Sequence, residues 1–204
     1  MLVLISGPSG AGKSTFVQAL LAAEPNLSFS VSTTTRPPRA GETDGVQYHF
    51  VDDADFDRLT AADAFVEWAR VHDRRYGTRR DHLQAMLDRG QTPLLDLDVQ
   101  GGLRVIELFG PRVVSVFIFP PSWAVLERRL RARGTEEETV LARRLANARW
   151  EIGFADHYDY WIVNDDLAAA LACARAVLTA ERCRRVRQAG PPLRVEGLAS
   201  PQNP

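Results

Sequence analysis

Nine residues near the start of the chain have the composition and spacing of a phosphate-binding loop. They read GPSGAGKST and fit the pattern G-x-x-x-x-G-K-[ST]. Small residues let backbone N–H groups curl around a phosphate, and the helix that follows directs its positive end at the same group. We predict that Lys13 contacts the β- and γ-phosphates of ATP and that Ser14 binds the accompanying Mg²⁺. The loop residues predicted to contact ATP are Gly7, Pro8, Ser9, Gly10, Ala11, Gly12, Lys13, Ser14 and Thr15.

A second set of residues has the chemistry of an acceptor site for a phosphate monoester. The stretch SVSTTTRPPRAGE, residues 30–42, has neither helical periodicity nor apolar alternation beyond Val31, so we expect a surface for an anion rather than core. Arg36 and Arg39 can each donate two parallel N–H bonds to phosphate oxygens, and Tyr48 and Tyr76 add uncharged phenolic donors. A phosphate acceptor needs no general base, because its attacking oxygen is already anionic.

One carboxylate in an apolar setting indicates which base the acceptor carries. Glu67 lies within FVEWA, and a carboxylate there can accept hydrogen bonds from the N1–H and 2-amino group of guanine. Adenine would present a lone pair at N1 instead. Ser32 and Thr78 can complete the recognition by contacting the O6 and N7 side. The alternative is that Glu67 is a surface acid on a short helix.

Two further carboxylates end an apolar run, LLDLD, that predicts a buried strand. Asp96 and Asp98 are two residues apart and therefore share one face of that strand, at the end where parallel sheets bind ligands. One of them is expected to hold the hydration shell of Mg²⁺, and the other to orient the acceptor or an arginine. We assign Asp96 to the metal and Asp98 to GMP, although the sequence leaves their order open. The alternative is that both are solvated acids at a strand end.

Arginines are concentrated between residues 128 and 149, around the sequence GTEEE. Arg129 and Arg133 are four apart and share a helix face, and with Arg144 they can close over the triphosphate and stabilise charge on the transferred group. The alternative for the neighbouring arginines is a solvated face paired with Glu127 and nearby acids. Asn164, at the end of the run WIVN, is predicted to lie near the adenine.

These residues need a framework of buried strands and covering helices. Unalternated apolar runs at 2–6, 93–97, 113–119 and 161–163 alternate with amphipathic stretches at 13–23, 81–89 and 167–185. This order predicts an α/β fold with a central parallel sheet. We expect a single domain at 1–183, comprising a core (1–31, 81–122 and 150–183), an acceptor-binding insert (32–80) and a helical lid (123–149), followed by a flexible tail at 184–204.

Composition narrows the functional classes. The 204 residues carry a formal net charge of −1, which argues against nucleic-acid or membrane-surface binding. The apolar run Leu2–Ile5 meets a glycine at once, so we expect neither a signal peptide nor a membrane span. Cys173 and Cys183 are expected to be free thiols in a cytoplasmic protein, and the four histidines show no ligand spacing. The oligomeric state stays open.

The chain resembles guanylate kinases in several independent segments. These are the phosphate loop, SVSTTTRPPRAGETDGVQYHF, FVEWA, YGT, LLDLDVQGG, RRLRARGTEEE and IVNDDL, in that order, spanning residue 2 to about residue 183. The resemblance implies a P-loop kinase that transfers a phosphoryl group from ATP to GMP. We expect dGMP as a second acceptor, and the sequence leaves its use open. The resemblance also implies guanine recognition by Ser32, Glu67 and Thr78, and favours Arg129, Arg133 and Arg144 for the lid. Arg75 departs from the family, which often has an aromatic residue before the matched tyrosine.

Two other functions are compatible with parts of this pattern. A kinase of the same fold for another phosphorylated small molecule, such as ribose 1,5-bisphosphate, would not need Ser32, Glu67 and Thr78 together. A guanylate-kinase-like module that binds phosphopeptides usually lacks a complete ATP loop, whereas Lys13 and Ser14 are both present.

Overall fold

The computed structural model describes residues 1–71, 73–132 and 138–188. Within these residues the strands are β1 (Leu2–Ser6), β2 (Leu27–Phe29), β3 (Thr33–Thr34), β4 (His49–Phe50), β5 (Phe65–Val71), β6 (Arg74–Arg79), β7 (Thr92–Asp96), β8 (Val113–Phe119) and β9 (Tyr160–Val163). The α-helices are α1 (Lys13–Ala23), α2 (Asp53–Ala61), α3 (Arg80–Asp88), α4 (Val99–Phe109), α5 (Trp123–Arg131), α6 (Glu138–Ile152) and α7 (Leu167–Cys183).

The first sheet is parallel and has the strand order β2-β7-β1-β8-β9. Its central strand, β1, is buried along its whole length, as the unalternated run LVLIS predicts for a sheet covered on both faces. The observed bounds of β1, α1 and β8 agree with the runs read from the sequence. The predicted parallel α/β fold is therefore confirmed.

The alternation of β1 side chains divides the core between the two faces of this sheet. Val3 and Ile5 pack with Phe16 and Leu20 of α1 and with Leu178 of α7. On the opposite face, the core is formed by residues of β1, β7, α3, α4 and β8: Leu2, Leu4, Leu83, Leu95, Val105 and Phe117. Because both faces of the sheet are covered, β1 is held in place, and β1 in turn positions the phosphate loop that follows it.

The second sheet is smaller, is mixed, and has the strand order β4-β3-β6-β5. It contradicts one expectation, because Ser32, Thr33, Thr34 and Thr35 are buried rather than presented on a surface. Short β-branched side chains suit a strand, and the hydroxyls of Thr34 and Thr35 find backbone partners here, whereas the buried Thr33 hydroxyl has no hydrogen-bond partner among the described residues. Thr34 Oγ1 donates to the Arg75 carbonyl at 2.9 Å, and Thr35 Oγ1 accepts from the Arg75 N–H at 3.1 Å.

The two helices predicted to form the lid pack on each other through a small apolar cluster. Leu126 and Leu130 of α5 meet Leu141 and Ala148 of α6. Ser122 caps α5 by accepting a hydrogen bond from the Val125 N–H. Arg133 and the first four residues of GTEEE, 134–137, lie outside the described residues, and its last residue, Glu138, begins α6.

The start of the predicted tail packs back onto the domain. Residues 185–187 form a short 3₁₀ helix, and the Arg187 side chain is buried against the buried carboxylate of Glu181 at 2.7 Å. Residues 189–204 lie outside the described part of the chain.

Candidate active site

The loop between β1 and α1 has the backbone conformation that its glycines allow. Gly12, the N-cap of α1, has φ +87°, and a Cβ at this position would lie 2.5 Å from the Asn164 amide nitrogen. A larger residue would therefore be both strained and in collision. The loop thus reaches α1 with backbone N–H groups at the helix N-terminus available to an anion.

Two predicted donor-site residues hold the outer side of the loop. The Asn164 side chain is buried and donates to the Ala11 carbonyl at 2.9 Å. Arg129 of α5 donates to the same carbonyl and to the Asn164 carbonyl, both at 3.2 Å. Together with Gly10, Gly12 and Thr15, these residues line a cavity of about 370 Å³. The lid arginine therefore already lies against the loop.

Lys13 lies at the boundary between the donor and acceptor sides. Its ammonium group forms an ion pair with Asp96 at the end of β7. Burial opposes the charge on Lys13, but the Asp96 carboxylate outweighs this effect, so the pKa of Lys13 is raised. Lys13 therefore stays charged, and Asp96 orients it.

A β-bulge in β5 directs Glu67 into a cavity that Lys13 and Tyr48 also line. Phe65 pairs with Arg79 and Glu67 pairs with Thr78, so the register shifts between Phe65 and Glu67. A bulge re-aims side chains, and consecutive residues of β5 are buried here rather than alternate ones. Thr78 Oγ1 donates to Glu67 Oε1 at 2.6 Å. Glu67 is thus a buried strand residue, not a surface acid on a helix.

The surroundings of Glu67 favour the protonated form of its carboxyl group. Burial raises its pKa, the Thr78 hydrogen bond opposes this shift and the Asp98 charge adds to it, giving a pKa of about 7. Asp98 caps α4 by accepting the Gly101 N–H at 3.0 Å. A Cβ on Gly101 would lie 2.7 Å from Glu67 Oε2, so α4 approaches Glu67 closely only because residue 101 is glycine.

Two of the predicted base-recognition residues, Ser32 and Glu67, share one cavity with the end of the phosphate loop. The cavity has a volume of about 250 Å³. It is lined by Lys13, Ser14, Ser32, Tyr48, Glu67, Tyr76, Asp96 and Asp98, together with the unpredicted Ala69, Val71 and Leu97. Thr78 is absent from this lining and contacts the cavity through Glu67. The structure therefore brings the phosphate loop and the insert to a common space.

A neighbouring cavity of about 450 Å³ contains the two predicted phosphate-binding arginines. Arg36, Arg39, Tyr48 and Tyr76 line it with Ser14 and Asp96. Arg36 donates to Glu42 Oε1 at 2.7 Å and lies over the Tyr48 ring, with 5.2 Å from its guanidinium carbon to the ring centroid. Arg39 is exposed, and its backbone N–H donates to Glu42 Oε2 at 2.7 Å. Sequence reasoning gave Glu42 no role, yet it holds the guanidinium of Arg36 and the backbone of Arg39.

Arg75, the departure from the family pattern, points away from these cavities. Its guanidinium pairs with Asp53 and Asp57 of α2 and lies over the Phe56 ring at 4.6 Å from the centroid. The adjacent Tyr76 faces the acceptor cavity, as expected for successive residues of a strand. Arg75 therefore braces α2 against β6.

A fourth cavity, of about 260 Å³, lies along the phosphate loop and contains an acid that sequence reasoning missed. Glu151, in the last turn of α6, lines it together with Gly7–Gly10, Gly12, Lys13, Ser14, Val71 and Asp98. Its Oε2 accepts the Ser9 N–H at 3.1 Å, and Arg144 donates to the Ser9 hydroxyl at 3.2 Å. No local pattern marks Glu151, because its partner lies 142 residues away in the chain.

The first strand of the parallel sheet leads into the phosphate loop, with arginine-bearing helices on one side of the loop and a carboxylate-lined acceptor cavity on the other. Together these features define a P-loop kinase. The family model for guanylate kinase matches residues 1–181. A guanylate kinase of Sphingopyxis alaskensis is 47% identical over 190 residues, covering 93% of this chain and 86% of the relative. One from Rhizobium meliloti is 46% identical over 204 residues, covering 100% and 93%. The crystal structure of guanylate kinase from Anaplasma phagocytophilum matches with a TM-score of 0.78 and 36% identity, covering 93% of this chain and 90% of that one. The chain therefore belongs to the guanylate kinase family.

Proposed function

We propose that this member of the guanylate kinase family transfers the γ-phosphoryl group of ATP to GMP, giving ADP and GDP, and that dGMP is an alternative acceptor. The observation that carries the proposal is the common cavity of Lys13, from the phosphate loop, and Glu67, from the insert. Two nucleotides bound on either side of Lys13 would present their phosphates to each other. In-line transfer then depends on positioning and electrostatics.

Guanine recognition is assigned to the buried pair of Glu67 and Thr78, with Ser32. The Thr78 hydroxyl fixes Oε1 of Glu67, which leaves the ionised carboxylate able to accept the N1–H and 2-amino group of guanine. Adenine would place a lone pair against the carboxylate. A buried polar site of this kind discriminates by factors far above those of an apolar pocket.

The phosphate of GMP is assigned to Arg36, Arg39, Tyr48 and Tyr76. In the present structure Glu42 holds Arg36, so this carboxylate stands where a phosphate oxygen would be expected to bind. Two guanidiniums can offer bidentate hydrogen bonds to a dianionic monophosphate. Burial, followed by the Asp96 charge, raises the pKa of Tyr48, so this residue remains a neutral donor.

On the donor side, the loop 7–15 is assigned to the triphosphate and Asn164 to the region of the adenine. Lys13, Arg129, Arg133 and Arg144 are assigned to charge on the transferred group, and both the insert and the lid are proposed to close inward when substrates bind.

The site suits a Mg²⁺ ion that arrives with the nucleotide. Among the described residues, no group of three or more His, Cys, Asp or Glu side chains is arranged to hold a metal by itself. The oxygen donors at the loop, Ser14 and Asp96, are of the kind that Mg²⁺ prefers, and phosphate oxygens and water would complete its shell. Bound there, the ion would neutralise charge on the β- and γ-phosphates.

The helices of the protein bear on its location in the cell. Over the part of the chain that the structure describes, no helix is both long enough and apolar enough to cross a bilayer. We propose that the protein is cytoplasmic and acts in purine nucleotide metabolism. We also propose that its core, insert and lid have the boundaries predicted from the sequence.

The decisive experiment is ADP production from ATP and Mg²⁺ with GMP, dGMP, AMP, CMP, UMP or ribose 1,5-bisphosphate offered separately. Rapid turnover with GMP and dGMP is expected, and Glu67→Ala should abolish the preference. Turnover with ribose 1,5-bisphosphate that survives Glu67→Ala would favour the other kinase. Tight GMP binding without ADP formation would indicate a binding module.

A further inference from the structure

Glu151 is a partly buried acid of the phosphate-loop cavity to which the proposed reaction gives no role. It lies in the last turn of α6, and its Oε2 accepts the Ser9 backbone N–H at 3.1 Å. A charged acceptor makes a stronger bond to a backbone N–H than a neutral one. Burial raises the pKa of Glu151, while the Ser9 N–H and the Lys13 charge oppose this shift.

The same helix reaches Ser9 a second time. Arg144 donates through Nη2 to the Ser9 hydroxyl at 3.2 Å. Arg144 and Glu151 are seven residues apart, which is about two helical turns, so both project from one face of α6. One loop residue is thus held by a cation and an anion from a single helix face.

These two contacts must respond differently when a triphosphate enters the loop. A guanidinium gains a charge-assisted hydrogen bond by moving from a hydroxyl to a phosphate oxygen. A carboxylate gains nothing from a phosphate, because the charges have the same sign, and it keeps its backbone partner. The Glu151 contact is therefore the one that can persist while Arg144 turns to the substrate.

We propose that Glu151 is a positioning residue: by holding the Ser9 backbone it fixes the end of α6 against the phosphate loop and so places Arg144 for the transferred phosphoryl group. This inference rests on the role proposed above for Arg144. It predicts an effect confined to the donor side, because Glu67 and the arginines of the acceptor site contact neither Glu151 nor Ser9 in any hydrogen bond of the described residues.

The first test compares Glu151→Ala with Glu151→Gln, since glutamine keeps an oxygen acceptor for the Ser9 N–H. Glu151→Ala is expected to lower kcat/KM for ATP about tenfold, the effect of losing one charge-assisted hydrogen bond. The dissociation constant of GMP should not change. Glu151→Gln should recover part of the loss, because its neutral oxygen still accepts the Ser9 N–H but makes a weaker bond than a carboxylate. The control is Glu127→Ala, which removes an acid that pairs with Arg131 on α5 and should leave both substrates unaffected.

Equal losses in Glu151→Ala and Glu151→Gln would overturn the proposal, because charge rather than the hydrogen bond would then matter. So would equal effects on ATP and GMP, which a purely structural role would produce. If Glu151→Ala does not fold, Glu151→Asp withdraws the carboxylate by one methylene and keeps its charge. Wild-type kinetics in Glu151→Asp would also contradict the proposal.

A double-mutant cycle with Arg144→Ala separates this proposal from the function on which it rests. If Glu151 acts through Arg144, adding Glu151→Ala to Arg144→Ala should cause no further loss of kcat. Additive losses would overturn the positioning role alone. If Arg144→Ala by itself leaves kcat unchanged, the role proposed for Arg144 fails, and the placing role of Glu151 fails with it.

Discussion

The Thr78 hydroxyl donates a 2.6 Å hydrogen bond to Oε1 of Glu67 in a buried part of the acceptor cavity. The two residues are opposite each other in the antiparallel pair β5–β6, next to a bulge. Glu67 is 6% exposed, so this neutral donor is its main compensation for lost water. The Glu67 carboxyl can therefore be either protonated or ionised in this pair.

GMP binding should tighten as the pH rises between about 6 and 8. The Glu67 pKa of about 7 lies above its ordinary value, so the empty site holds a proton over much of this range. Guanine donors require the ionised form, so binding must release that proton and is favoured at higher pH. Titration calorimetry in two buffers of different ionisation enthalpy should detect proton release that fades above about pH 8.

Guanosine is the control for this pH dependence, because the phosphate of GMP has a second pKa of about 6 and titrates nearby. Guanosine has no phosphate and should keep the part of the pH dependence that belongs to Glu67. Guanosine binding that is flat with pH would refute the assignment to Glu67.

Replacing Thr78 by valine should weaken GMP binding and move its pH dependence upward. Valine has nearly the same shape but cannot donate, so ionised Glu67 loses a hydrogen bond. This costs about 1–3 kcal/mol in binding, or roughly 5- to 150-fold in the dissociation constant. The affinity for ADP measured on the same variant should match the wild type. Equal loss of ADP affinity would mean that the substitution disturbed the whole domain.

Arg36 and Arg75 are two arginines of the insert with different surroundings, so one serves as the control for the other. Arg36→Lys should raise KM for GMP about tenfold or more, because lysine cannot reproduce bidentate contact with a phosphate. Arg75→Lys should leave KM unchanged, because Arg75 pairs with Asp53 and Asp57 on α2. Both values come from steady-state kinetics with varied GMP at saturating ATP.

The control measurement for this pair is thermal unfolding. Arg75→Lys should lower the stability by no more than about 1 kcal/mol, since its partners are exposed. A raised KM for GMP in Arg75→Lys with unchanged stability would mean that Arg75 does contribute to the acceptor site.

The loop and the framework around it could be predicted because their signals are local. The phosphate loop needs glycine at fixed positions, and the apolar runs of β1 and β8 need burial on both faces, so neighbouring residues determine the structure. Even the orientation of Arg75 follows from strand alternation once Tyr76 is placed in the cavity. Long-range partners are different. Nothing near Glu151 indicates that it will meet Ser9.

The burial of the threonines in and directly after β3 escaped sequence reasoning for a related reason. Thr33, Thr34 and Thr35 are polar by composition, but the second sheet buries them. The hydroxyls of Thr34 and Thr35 are satisfied there by the Arg75 backbone, which the chain brings in 40 or more residues later. Likewise, the pairing of Arg36 with Glu42 depends on the geometry of the turn between them. Tertiary pairing, not composition, decides these positions.

Shortening the chain should reveal where the folded domain ends. Glu181 is 3% exposed, and it accepts from Tyr160 and from Arg187 Nε, the latter at 3.0 Å. Burial acts against its charge, but these hydrogen bonds outweigh burial and the pKa of Glu181 is lowered. A chain ending at Cys183 loses both Arg184 and Arg187, which pair with Glu181, and should be less stable than one ending at Gln188 by about 2–3 kcal/mol at neutral pH.

The pH dependence of this difference has a definite sign. A lowered pKa contributes stability that is present above the ordinary glutamate value of 4.5 and is lost as the pH falls below it. The two truncated chains should therefore converge in urea unfolding as the pH is lowered from neutral through this value. Equal stability of the two truncated chains at neutral pH would show that the Arg184 and Arg187 contacts contribute nothing and that the domain ends with α7.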